Sequence, residues 1–445
     1  MALFLCLALP VVAAEPAKEA RASLVPKKPA QVFHGEALNL ATCYELALLR
    51  METIGLSEED VRIAQARYRE AIGAILPSVR VVGEQYFYKD RNAGSDLALG
   101  GDIVGSNDLQ PRQARVNVKV PIFSGLRDIQ AAKALRAETE GSRETARRVR
   151  QNLYLNVAES YYQTISYEED LRILDDVVRA LNDRIKVLEK WVRLGRSRDS
   201  ELLQSQTTLA QTRVSIERTK KLMVATREML AFLIGVPSTQ WNLQPDVTPL
   251  PDGLQMGEYL AQTANRPDVL AAIQMERSAR ARLSAAKGEH LPKVSFEGNY
   301  AFYNSDTPGQ TDWSGFLTLE IPIFDGGSIE ARVDQNKSLF AQKKLDLSQL
   351  QREAERDVRT AFNQFNASLA ELARLYEAVR TAELNFRAQE GDYDLHIVNN
   401  IDVLDALQTL HDLRREEATA RANTRLNLIR LYVASGVPNN RHDSR

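Results

Sequence analysis

Two carboxylates three residues apart, Asp402 and Asp405, stand in the stretch Ile401-Asp402-Val403-Leu404-Asp405-Ala406. On a helix that spacing puts both on one face. Stacked against the same residues of further copies, they would make rings of negative charge. Like charges so close raise one another's pKa, and a cation relieves them. Asp402 also suits an ordinary helix start, where Asp caps the free backbone N–H groups. Chemistry of other kinds lacks its residues. There is no phosphate-cradling Gly loop, no HExxH pair and no nucleophile elbow, so no catalytic residue, enzyme activity or cofactor is expected. Cys6 and Cys43 leave neither a disulfide framework nor a multi-Cys zinc site. Five histidines are scattered and six methionines do not cluster, so no metal site is expected. Cys43 lies on an apolar helix face and reads as core. Asp325-Gly326-Gly327 lies at a strand–helix turn, where glycine serves geometry.

The elements that must position these residues are long. The 445 residues hold only 22 Gly and 16 Pro, and 26% of them are charged. The 57 basic and 59 acidic residues give a net charge of −2, with no basic excess to suggest nucleic acid. Mean hydropathy is −0.33, and no run beyond the N-terminus reaches the ~18 apolar residues of a spanning helix. A membrane β-barrel stays open, because its alternating strands do not raise mean hydropathy. Ala2 to Ala14 is apolar and ends in Val12-Ala13-Ala14, so residues 1–14 read as an export signal. Leu5 precedes Cys6 where a lipid-anchor motif needs a small residue. Residues 15–35 read as an exposed lead-in.

The chain repeats itself. Val120-Pro121-Ile122-Phe123-Ser124-Gly125 returns as Ile321-Pro322-Ile323-Phe324-Asp325-Gly326, and 322 − 121 = 201. Gly235-Val236-Pro237 returns as Gly436-Val437-Pro438 at the same offset, 436 − 235 = 201. Upstream, Leu76-Pro77 matches Leu291-Pro292 at 292 − 77 = 215. The first half therefore carries 215 − 201 = 14 extra residues between Tyr88 and Val120, in a Gly-, Asn- and Asp-rich stretch that reads as a surface loop. The boundaries are repeat 1 over 36–237, a linker over 238–252, repeat 2 over 253–438 and a tail over 439–445.

Each repeat predicts helix, hairpin, very long helix and helix. Leu126 to Leu194 contains no Pro and only Gly141, and Ser328 to Glu390 contains neither Gly nor Pro. A helix of about 65 residues is roughly 100 Å long. Leu171, Leu174, Val178, Leu181, Ile185, Leu188 and Val192 follow 3-4 spacing, a heptad seam that Leu372, Leu375, Val379, Ala382 and Phe386 continue in the second half. Strands are expected near 79–91, 113–123, 293–304 and 313–324. Val116, Val118, Val120 and Ile122 alternate with Asn117, Lys119 and Pro121; Leu317, Leu319, Ile321 and Ile323 alternate with Thr318, Glu320 and Pro322. One face is dry and one wet. Helices committed to heptads cannot cover the dry face, so a lipid-facing barrel with a polar lumen is expected. Four strands cannot close one, so several chains must share it: two give eight strands and three give twelve. Tyr86, Tyr88, Tyr300, Tyr303 and Trp313 suit an interfacial girdle. A coiled-coil structural or scaffold protein of the cell envelope is the alternative, although a rod needs neither alternating strands nor a signal.

The order helix, Leu-Pro, strand pair, (V/I)PIF(S/D)G, long helix, tip, helix, GVP, given twice over about residues 36–438, resembles the TolC-like outer membrane efflux protein family. That resemblance implies a mainly α fold with a transmembrane β-barrel, in which a homotrimer closes twelve strands in the outer-membrane lipid. A periplasmic α-helical barrel continues it as a tunnel. It further implies an exit duct for efflux or type I secretion, partnered by a periplasmic adaptor protein and an inner-membrane pump. Asp402 and Asp405 would ring the periplasmic entrance, with Tyr393, nine residues before Asp402, in the family's gate-linking position. Val398 departs from the pattern where an Arg is usual, and His396 replaces the usual tip Gly. The tips would meet the adaptor through Gly195, Arg196, Ser197 and Glu201 in the first half and through His396 and Asn399 in the second. The tip arginines fit a solvated turn equally well.

Overall fold

The computed structural model describes residues 37–85, 87, 112–246, 248–304, 312–395 and 397–436. The export segment 1–14, the lead-in 15–35, Cys6, Tyr86, Tyr88, the Gly-rich loop around 92–108, His396 and the tail 439–445 lie outside the described residues. The elements run β1 (Ala37–Leu38), α1 (Leu40–Arg50), α2 (Glu52–Gly73), β2 (Ser78–Gln85), β3 (Arg112–Ser124), α3 (Arg127–Arg193), α4 (Asp199–Ile234), β4 (Asn242–Leu243), α5 (Met256–Gln262), α6 (Pro267–Lys287), β5 (Lys293–Asn304), β6 (Asp312–Glu320), α7 (Ser328–Asp394) and α8 (Asn400–Ser435). The internal repeat is visible in the lengths: α3 and α7 have 67 residues each, and α4 and α8 have 36 each. No described helix is long and apolar enough to cross a membrane.

Packing divides the chain into two units that cut across the repeats. Of the described residues, those up to 53, within 153–250 and within 371–426 form the first; those within 54–152, within 251–370 and from 427 onward form the second. The cut follows from the long helices, since each repeat threads both units. In the first unit the heptad stripe of α3 meets two neighbours. Val177, Leu181 and Ile185 pack with Leu209 of α4 and with Leu404 and Leu407 of α8. A two-helix seam needs only a and d positions; a helix held between two others needs a wider stripe. Ile173 and Val177 are accordingly buried beside Leu174, Leu181 and Leu188, while Leu171, Val178 and Val192 are only half-buried. Cys43 is buried in α1 of this unit, and desolvation pushes its thiol up to about 12. Trp241, in the inter-repeat linker, is a core residue there; its indole N–H donates to Val236 O, and the Arg227 guanidinium lies 4.5 Å from its ring.

The second unit holds one four-stranded antiparallel sheet in the order β2-β3-β5-β6. Each hairpin comes from one repeat, and β3 against β5 joins them. Where β3 turns into α3, Gly125 has φ +66 and lies against Gly288 at the end of α6; a Cβ on either glycine would come within 2.2 Å of the other's carbonyl oxygen. β6 stops at Glu320, whose partner Lys293 is the first residue of β5. Ile321 to Phe324 therefore leave the sheet, whereas the matching residues of β3 remain paired through Ser124.

Candidate functional site

Two places in the chain carry candidate functional side chains, one in each unit. In the second unit the sheet has two unlike faces. Cross-strand register puts Val79 beside Val118, Val81 beside Val116, Val116 beside Tyr300, Tyr300 beside Trp313, Val120 beside Phe296 and Phe296 beside Leu317. No described element covers this apolar face: Val81 is 72% exposed, Leu317 69% and Trp313 82%. Phe296 lies over the paired Gly298 and Gly315, filling the space that their missing side chains leave. On the other face Arg80, Asn117, Asn299 and Ser314 form one polar row across the strands. Asn117 donates to Glu297 Oε1 at 2.7 Å and to Asn299 Oδ1 at 2.9 Å, and Arg115 pairs with Glu84 at 2.8 Å. Val82, Ala301 and Phe316 are apolar residues on that face, Val82 and Ala301 beside Arg115 and Phe316 opposite Glu297.

In the first unit the two helical hairpins meet at a tip. Gly195, with φ +68, ends the turn after α3, and the Arg196 N–H donates back to Trp191 O at 2.8 Å. That bond is the closing link of a Schellman-type cap, which only glycine enters without strain. Ser197 Oγ donates to Glu201 Oε2 at 2.8 Å, and Tyr393 OH donates to the same oxygen at 3.0 Å. Tyr393 is 5% exposed. Its ring stacks on Trp191 at 5.5 Å, and the Arg184 guanidinium lies 3.7 Å from its centroid. Arg184 Nε donates to Asn400 Oδ1 at 3.0 Å; Asn400 Nδ2 donates in turn to Glu201 O and Ser205 Oγ. Burial raises the Tyr393 phenol above its ordinary pKa, and its bond to the Glu201 carboxylate adds to the rise. Burial also raises Glu390 and lowers Arg184, a fall that Tyr393, Asp394, Glu390 and Glu201 around it oppose.

The structure therefore brings Tyr393, Ser197 and Glu201 together and leaves the other tip residues apart from them. Gly195, Arg196 and Asn399 are exposed. Asp402 and Asp405 are exposed on α8, and Asp402 Oδ2 accepts the Asn399 N–H at 2.9 Å while the Asp402 N–H returns to Asn399 O. This is a reciprocal cap of the α8 start. Glu201, read from sequence as a surface contact, is engaged inside the tip. Sequence reasoning missed Arg184, Trp191, Asn400 and Ser205. The signal for two of them was their spacing: Arg184, Leu188 and Trp191 fall on one face of α3, the face that meets the second hairpin. Among the described residues no group of three His, Cys, Asp or Glu could hold a metal ion.

Comparison with known proteins gives one picture. The family model described as outer membrane efflux protein matches residues 43–236 and 261–437. The outer membrane protein TolC of Vibrio cholerae is 23% identical over 376 residues, 82% of each chain. The probable efflux pump outer membrane protein TtgC of Pseudomonas putida is 22% identical over 426 residues, 91% of this chain and 84% of that one. Among solved structures, the outer membrane protein VceC of Vibrio cholerae superposes with a TM-score of 0.79 at 16% identity, over 89% of this chain and 96% of the other.

Proposed function

The chain belongs to the outer membrane efflux protein family, and from that membership we propose that three copies close their sheets into one twelve-stranded barrel in the outer membrane. The helices of the three copies continue it as a periplasmic tunnel. The assembly is the exit duct of a tripartite efflux or type I secretion system, receiving cargo from an inner-membrane pump through a periplasmic adaptor. Its work is passage, not catalysis.

The observation that carries this reading is the sheet. Its apolar face is bare, its polar face is cross-linked by hydrogen bonds, and β2 and β6 each have one neighbour only among the described residues. In hydrocarbon, open strand edges leave backbone groups unpaired at a cost of several kcal/mol each, so a spanning sheet must close. The repeat supplies the way to close it. Adding 201 to β3 positions and subtracting 215 from β5 positions turns the inner seam into an outer one. Asn117 beside Asn299 becomes Thr318 (117 + 201) beside Glu84 (299 − 215) of a second copy. Gly125 beside Gly288 becomes Gly326 (125 + 201) beside Gly73 (288 − 215) of that copy, and among the described residues of the single chain nothing beyond the local backbone lies within 4 Å of where a Cβ on either would stand.

At the tip, exposed Asp402 and Asp405 support an acidic entrance, and Tyr393 to Glu201 supports a link that holds the two hairpins of one chain together. Leu194, Leu395 and Ile397 are exposed beside Gly195, Arg196 and Asn399, and so support a docking surface for the adaptor. Cysteines placed at Thr318 and Glu84 test the seam. Oxidation in membranes should give a ladder that ends at three chains, with neither single cysteine sufficient. A ladder ending at two, or no cross-link in the assembled protein, sinks the reading.

A further inference from the structure

His411 is the one polar side chain buried in a stretch of α8 that is otherwise apolar inside. From Ile401 to Leu413 the buried residues are Val403, Leu404, Ala406, Leu407, Leu410 and His411, the last only 7% exposed. Leu404, Leu407 and His411 are spaced i, i+3, i+7 and share one face. The two leucines pack on Val177, Leu181 and Ile185 of α3. Among the described residues neither imidazole nitrogen has a hydrogen-bond partner. An orphaned buried polar group costs stability that a leucine in the same stripe would not. The charges that bear on the ring are Arg414 and Asp412 of α8 and Asp176 of α3. Arg414 is committed to Glu383 of α7 at 2.6 Å, and Asp176 to Arg179 on its own helix.

The ring lies between two ties. On its C-terminal side α8 is clamped to both neighbours, by Arg414 to Glu383 of α7 and by Arg415 to Asp170 of α3, which also accepts from Thr219 of α4 at 2.8 Å. At the tip Asn400 donates to Glu201 O and Ser205 Oγ of α4 and accepts from Arg184 of α3. Between these ties, among the described residues, no side-chain hydrogen bond or ion pair joins residues 401–413 to another helix. Packing alone holds α8 to α3 there, over roughly 20 Å. α8 contains neither Gly nor Pro, so a break in that packing is carried to the tip instead of being absorbed by a kink.

A proton makes the break. The imidazolium carries a charge and two donors, and the closed seam offers it no acceptor. Burial above all keeps the proton off in the closed form, drawing the imidazole down from 6.5 to about 4. With the seam open, the ring takes the proton near its ordinary value. Acid therefore favours the open form, by about tenfold per pH unit between those two values.

We propose that His411 is an acid-triggered release: acidification on the periplasmic side parts α8 from α3 at this ring and opens the entrance of the duct. The inference rests on the duct reading above.

Two measurements on the assembled full chain test it. Hydrogen exchange, corrected for its intrinsic pH dependence, reports the seam. Between pH 7.5 and 5, protection over 404–413 and 173–185 should fall about thirtyfold in the wild type. It should stay level in His411→Leu and in His411→Gln, which keeps a polar side chain without the titration. Conductance in planar bilayers reports the entrance. Acid on the periplasmic side should raise it in the wild type and in neither His411 variant. A carboxyl group at its model value stays ionised at pH 5, so Asp402→Ala with Asp405→Ala should keep the response. Should neither His411 variant assemble, the wild type decides, and protection that stays level down to pH 5 overturns the proposal. A seam that loosens while conductance stays level overturns it too. So does an acid response that survives in the His411 variants or disappears with the aspartates. A chain that forms no channel at any pH sinks the duct reading instead, and exchange still decides whether the ring releases the seam.

Discussion

Between β3 and β5 the chain closes a seam on itself; at β2 and β6 it leaves the two equivalent edges open. Matching residues serve both. Gly125 and Gly288 touch backbone to backbone, whereas their repeats Gly326 and Gly73 have open space around them. The tip has the same asymmetry. Glu201 holds Tyr393 across the two hairpins. Its repeat, Asp402 (201 + 201), has Val192 (393 − 201) where a phenol would be needed, and bonds its own helix start instead. A duplicated chain makes every surface twice but can satisfy only one of each pair internally. The other is left for another copy or for solvent.

Alanine at the two glycines should separate these cases most strongly. Gly288→Ala sets a Cβ 2.2 Å from Gly125 O, backbone against backbone, so neither side can yield. We expect a loss of about 3 kcal/mol or more, with little resistant oligomer and a lowered melting temperature. Gly73→Ala should leave the single chain's own packing within about 0.5 kcal/mol but reduce oligomer yield, because its clash arises only at the outer seam. Equal effects of the two substitutions on both measurements would break the comparison.

His411 offers a second contrast, since it is buried on α8 while its repeat, Ala210 (411 − 201), is exposed. Among the described residues both imidazole nitrogens lack hydrogen-bond partners. Burial above all, with Arg414 beside it, lowers its pKa from 6.5 to about 4, against the opposing pull of Asp176 of α3 and Asp412 of α8. The unfolded chain therefore takes up the proton first. The stability is complete above pH 6.5 and falls as the pH drops toward 4, by about 3 kcal/mol. Melting curves across that range should show the loss, and His411→Leu should flatten it. A wild type whose melting is level from pH 7 to 4 contradicts the burial.

Tyr393→Phe removes one hydrogen bond to a carboxylate, worth about 1.5 to 3 kcal/mol, and leaves the stacking on Trp191. Conductance in planar bilayers should rise while the oligomer stays intact; unchanged conductance would mean that the link does not hold the entrance. A small effect on stability, about 1 kcal/mol or less, is expected for Asp402→Ala with Asp405→Ala. Its readout is selectivity. Cation preference and block by divalent cations from the periplasmic side should weaken, and if both persist the aspartates are helix caps only.

Much of this was legible in the residues because the signals are local and periodic. Absent Pro and scarce Gly set the 67-residue helices, alternation set the two faces of β3 and β5, and two fixed offsets revealed the duplication. The resemblance placed Tyr393 and the two aspartates at one end. Tertiary structure alone decided what each side chain does there. Glu201 lies within an exposed turn by sequence, yet its carboxylate is held by a tyrosine 192 positions away. Arg184, Asn400 and Ser205 carry no motif, because the bonds that join them depend on the relative placement of α3, α4 and α8. The end of β6 at Glu320 was likewise not readable, since a strand lasts only as long as its partner and β5 begins at Lys293. Local pattern determines which element forms and which face it buries. Which of two repeated surfaces is closed, and by what, depends on contacts between residues far apart in the chain, and those leave no period in the sequence.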